Sequence, residues 1–100
     1  MNKLSKRSLI VVKKMLKDFA DKEGITPLTV QTIIHSVKTN DFAKMTEQES
    51  SILADSMANE EILIAHPELL DLYEKVDNLW AKRAKENGTK IPASHHRVLH

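Results

Sequence analysis

The chain has no cysteine, which removes disulfides, thiolate nucleophiles and cysteine-ligated zinc or iron–sulfur centres from consideration. Two glycines and three prolines are too few to punctuate a many-stranded sheet, so helices joined by short connections are expected. Aromatic residues are equally sparse, and the single Trp and single Tyr both lie in the segment Pro67 to Asn87. The apolar run near the amino end, Leu9 to Val12, is closed by Lys13 and Lys14. It is shorter than the roughly 7–15 apolar residues of an export signal. No run approaches the roughly 20 residues of a membrane span. A cytoplasmic protein with no membrane partner is the expectation. Also missing are a Gly-rich phosphate loop, a nucleophile elbow and a zinc-helix motif. A non-enzymatic role is therefore expected, with no catalytic residue, cofactor or metal.

What remains is an ordinary globular composition, 41% apolar and 29% charged over 100 residues. It suits one domain burying about 60–70% of its unfolded surface. The sequence predicts an all-α fold, a bundle of about four helices over residues 1–88, followed by an extended or mobile tail over 89–100. The first helix runs from about Ser5 to Glu23 and stops at Gly24, with Leu9, Val12, Met15, Leu16, Phe19 and Ala20 inward. Thr26-Pro27 opens the second, which runs to about Thr39 with Val30, Ile33, Ile34 and Val37 inward. Thr46 with Glu49 forms a capping box for the third, whose core candidates are Ile52, Leu53 and Met57. Periodicity slips at Asn59, where a short turn holding Ile62, Leu63 and Ile64 is recapped. The strongest helical pattern is Pro67 to Asn87, with Leu69, Leu72, Tyr73, Val76, Leu79 and Trp80 on one face and Gly88 as the stop. The rest of the core is expected to pack on it.

The net charge of +1 hides a division along the chain: residues 1–17 carry +6, 18–40 carry −1, 41–77 carry −8 and 78–100 carry +4. The economical reading is that these blocks pair with each other inside the fold; the alternative is a binding surface. Around the first helix, Lys6, Arg7, Lys13, Lys14 and Lys17 share the polar side, with Ile10 among them. Such a face suits phosphates, an apolar partner surface or a membrane interface. The bland reading is a solvated face whose Lys stems cover apolar surface. A helix, a turn containing Gly24 and a second helix also outline a helix-turn-helix, with Gln31, Thr32, His35 and Lys38 outward. An antiparallel hairpin explains the same residues, and the second helix lacks Arg. The carboxylates Glu60 and Glu61, or Asp71 and Glu74, read as solvated faces and helix-dipole partners rather than acid/base pairs. His96 and His100 have i, i+4 spacing, but no carboxylate or Cys completes a metal set. His35 and His66 read as surface or turn residues.

The order of basic helix, Gly, Ile-rich helix and ELLDLY around Glu68 to Tyr73 loosely resembles some small phage and bacterial helical proteins that bind double-stranded DNA. No specific motif carries that likeness. Two roles fit the sequence. One is a module that binds another protein, an inhibitor or adaptor of the kind phages and mobile elements encode, acting as a monomer or homodimer. The other is a DNA-binding regulator. The DNA-binding role uses Lys6, Arg7, Lys13, Lys14 and Lys17, joined by Gln31, His35 and Lys38 and the basic stretch Lys82, Arg83 and Lys85; in the protein-binding role the acidic stretch 41–77 or exposed apolar residues face the partner, with Ile10 among the candidate contacts. A near-zero net charge and the −8 block put protein binding ahead, because DNA binders carry a domain-wide basic excess.

Overall fold

The computed structural model describes residues 4–88, which form five helices. They are α1 (Lys6–Glu23), α2 (Pro27–Thr39), α3 (Glu47–Met57), α4 (Glu60–Ala65) and α5 (Pro67–Glu86). The all-α architecture is as expected, with the short turn after Asn59 closing as a helix of its own. No helix among the described residues is long and apolar enough to cross a membrane. The expected tail over 89–100, with His95, His96 and His100, lies outside the described residues.

The helix boundaries follow from local chemistry. The Ser5, Thr26, Thr46 and Asn59 side chains each accept a hydrogen bond from the backbone N–H three residues on, satisfying a donor that the first turn leaves orphaned. At Thr46 the exchange is reciprocal, since Glu49 Oε1 accepts from the Thr46 N–H at 2.9 Å. Gly24 and Asn40 close α1 and α2 in the left-handed conformation, with φ of 70° and 53°. Pro67 starts α5 and forces His66 out of helical angles, which separates α4 from α5 by a single residue.

The centre of the packing is α3, which touches α5, α1 and α2, while α4 packs on α5. Its buried stripe is Ser50, Leu53, Ala54 and Met57, at spacings of three and four. Two of these four are small, which lets a neighbouring helix approach closely between Leu53 and Met57. Ser50 keeps its hydroxyl satisfied by donating to the Glu47 carbonyl at 2.8 Å. From α5 come Leu69, Leu72, Tyr73 and Val76, and from α1 Val12 and Leu16, all in one cluster with Ile33, Val37 and Leu63. Trp80 and Ile52, expected in the core, are only half-buried; with Thr46, Gln48, Ser51 and Asn87 they line an open depression of about 610 Å³ between α3 and α5.

The segment 40–46 between α2 and α3 is irregular but fixed. Phe42 and Met45 are buried in the core, and the Lys75 ammonium of α5 lies 4.8 Å from the Phe42 ring centroid.

Leu53→Ala should cost about 2–5 kcal/mol, because Leu53 is fully buried where α3 meets its neighbours. Ala54→Leu should cost about 1–3 kcal/mol by overpacking the same place. Trp80→Ala, at the rim, should cost less than Leu72→Ala. Thermal or urea unfolding of the four variants gives this ranking directly.

Candidate interaction surface

Helix α1 begins against its own dipole. Its first turn contains no acid and carries Lys6 and Arg7, which sit unfavourably at the positive end of a helix. The compensation comes from α5. Glu68 Oε1 accepts from the Ser5 N–H at 2.9 Å, and Oε2 accepts from the Ser5 hydroxyl at 2.9 Å and the Ser8 hydroxyl at 2.7 Å. Ser5 Oγ meanwhile accepts from the Ser8 N–H at 3.2 Å. A capping box normally draws its carboxylate from the third residue of the same helix; here that residue is Ser8, and Glu68 of another helix takes the part. The Ser8 hydroxyl foremost, then the Ser5 backbone and side chain, hold the Glu68 carboxyl below the ordinary value near 4.5.

This latch sets the orientation of the basic face. Val12, Leu16, Ala20 and Ser8 turn inward, so Lys6, Arg7, Ile10, Lys13, Lys14 and Lys17 all face solvent. From Lys6 to Lys17 they extend about 16 Å along the axis. Ile10 is 65% exposed, and the four residues adjoining it on the helix surface, at i±3 and i±4, are Lys6, Arg7, Lys13 and Lys14. None of the five cations of this face forms an ion pair among the described residues. These five side chains thus do not make the expected pairing between charge blocks among the described residues, although Glu68 of the acidic block caps the helix that carries them. The sign pattern is left open to solvent.

The other residues expected at a site fall in two further places. Gln31 and His35 line a groove of about 490 Å³ on the outside of α2, together with Leu28, Thr32, Ser36 and Thr39 and closed by Asp41 and Lys44. Lys38 is exposed outside that groove. Lys82 and Lys85 are exposed near the end of α5. That end lies by the start of α3, since Asn87 Nδ2 donates to Glu47 Oε1 at 3.1 Å. Lys6 and Arg7 lie instead at the Glu68 end, and Lys82 is fourteen residues further along α5, about 21 Å away.

Arg83 has a different job from Lys82 and Lys85. Its Nε donates to the Met45 carbonyl at 3.0 Å, Nη2 to the Ala43 carbonyl at 2.9 Å, and Nη1 pairs with Glu86 at 3.0 Å. The planar fork thus holds the 40–46 connector onto α5. Nothing in the sequence pattern separates Arg83 from its basic neighbours. Its role depends on a connector whose path only packing decides.

Among the described residues no group of three or more His, Asp or Glu is arranged to hold a metal ion. No known protein family, curated protein or solved structure matches the chain.

Arg83→Lys keeps the charge but loses the fork, and should cost about 1–3 kcal/mol in chemical denaturation. The latch gives a pH signature. Because the Glu68 carboxyl is lowered in the folded state, its contribution is complete above about pH 4.5 and is lost as pH falls through the lower folded value. Stability of the wild type and of Glu68→Gln should differ at pH 6 and converge at low pH; curves parallel down to pH 2 would show that the latch does not titrate.

Proposed function

We propose that the chain is a non-enzymatic binding module that presents the α1 face to an acidic surface of another protein, with Ile10 as the apolar centre of the contact. The observation that carries this reading is the ring of four cations around one exposed isoleucine, none of them in an ion pair among the described residues. Protein interfaces have such an anatomy, an apolar centre desolvated inside a polar rim. Burying an isoleucine contributes about 1.5–3 kcal/mol, while the surrounding charges speed encounter and select the sign of the partner. Isolated exposed apolar residues are common on protein surfaces, so Ile10 counts here only through the charges placed around it.

Duplex DNA is the second reading. It is favoured by the row of cations along α1, which suits phosphates without sequence preference. Against it stand the exposed Glu60, Glu61, Asp71 and Glu74 and the net charge of +1, which leave no basic excess over the domain. Phosphate contacts also give Ile10 no work.

A photo-crosslinking residue at position 10, introduced in the cells of origin, should trap a protein, and the same residue at exposed Asn78 should not. Lys13→Glu with Lys14→Glu should abolish the adduct. Unrelated duplexes should show no gel shift at about 50 mM salt; a shift that weakens roughly 10-fold or more by 200 mM and disappears in the double variant would install the DNA reading instead.

A further inference from the structure

We infer that the protein surface received by the α1 face is that of a second copy of this chain, centred on Ile64 of α4, in a reciprocal two-fold dimer. This rests on the docking role of α1 proposed above and names its partner. Ile64 is 63% exposed, close to the 65% of Ile10. Its helix-surface neighbours at i−4 and i−3 are Glu60 and Glu61, both exposed. Neither carboxylate forms an ion pair among the described residues. The two features are therefore counterparts: an apolar side chain flanked by cations on α1, and one of the same kind flanked by anions on α4.

Their placement makes the pairing mutual. Glu68 lies four residues after Ile64 and holds Ser5 and Ser8, and Ser8 lies two residues before Ile10. The contact ties the start of α1 to the segment that follows α4, while Ile10, about 200° round α1 from the buried Ser8, projects into solvent; among the described residues no ion pair joins the two sets of charges. A two-fold axis can set Ile10 of each copy against Ile64 of the other, so that one complementary contact is made twice and the assembly closes. Leu28, the third large exposed apolar residue among the described residues, has no such ring of charge and takes no part.

Sedimentation equilibrium of the full chain tests this. At about 50 mM salt and 10–500 µM protein, the range for a small polar interface, the mass should rise from 11.4 kDa toward twice that value and fall back at about 500 mM salt. Ile10→Ser and Ile64→Ser, which keep every charge, should each weaken the dimer at least tenfold. The triple reversal Arg7→Glu, Lys13→Glu, Lys14→Glu should be monomeric alone, as should Glu60→Lys with Glu61→Lys. Mixing the two reversed chains should restore a dimer, because each contact then regains opposite signs. Unchanged far-ultraviolet dichroism in each variant certifies that the helices persist. A wild type that stays monomeric throughout at low salt, a dimer indifferent to both serine variants, or a mixture that fails to reassociate overturns the pairing. The crosslink at position 10 separates the two levels of the argument: an adduct of twice the chain mass supports self-association, an adduct of another mass refutes it while sparing the docking role, and no protein adduct sinks both.

Discussion

Everything in this fold depends on a short helix being packed from several sides. With eleven residues, α3 has to bury surface against α5, α1 and α2 together. A stripe of four large side chains would hold those helices apart; Ser50 and Ala54 let them close in, and Leu53 and Met57 fill the space on either side. The polar member is not left unsatisfied, since Ser50 bonds to its own helix. Once α3 is enclosed, the connector before it cannot wander. It runs across α5, where Phe42 and Met45 enter the core and Arg83 ties down the Ala43 and Met45 carbonyls.

The same economy appears at the opposite end. Helix α1 starts with cations where its dipole wants anions, a local conflict of the kind that an isolated helix would resolve by fraying. Glu68 resolves it from outside by taking the capping hydrogen bonds of Ser5 and Ser8. Lys6 and Arg7 can then remain in the first turn without the helix losing its start. A surface is retained that local helix preference alone would have discouraged.

How much of this was legible in the sequence depends on whether a signal is local. Caps are local, and Thr26-Pro27, the Thr46–Glu49 box, Gly24, Asn59 and Pro67 all mark real boundaries. The apolar period of α5 is local too, and Leu69, Leu72, Tyr73 and Val76 are buried as it implies. The hub was hidden because half of its buried stripe is Ser50 and Ala54, which hydrophobic periodicity does not register. Buried Phe42 and Met45 lay in a stretch without any period, and Trp80 satisfied the period of α5 yet is only half-buried, at the open depression between α3 and α5. On the surface, the basic face of α1 was readable because a helical projection needs only the helix. The separate duties of Arg83 and Glu68 were not, since each is defined by a residue about forty or sixty positions away.

Charge in this molecule is used selectively, and that bears on what α1 is for. Arg83 fastens a connector, Glu68 caps a distant helix and Lys75 lies over Phe42. Each is placed where a single chain benefits. The cations of α1 form no ion pair among the described residues, and such pairs would have added little, since exposed ion pairs contribute about 0–1 kcal/mol. Stability therefore neither demands nor forbids their arrangement. The residue that stability does disfavour is Ile10: it is β-branched, a poorer helix former than the lysines around it, and most of its surface is in water. An exposed face built for solubility alone would more readily carry another polar residue there. On the proposed docking role, that isoleucine is the place where an apolar, negatively rimmed surface would cover α1, and Ile64 with Glu60 and Glu61 presents such a combination on this same chain.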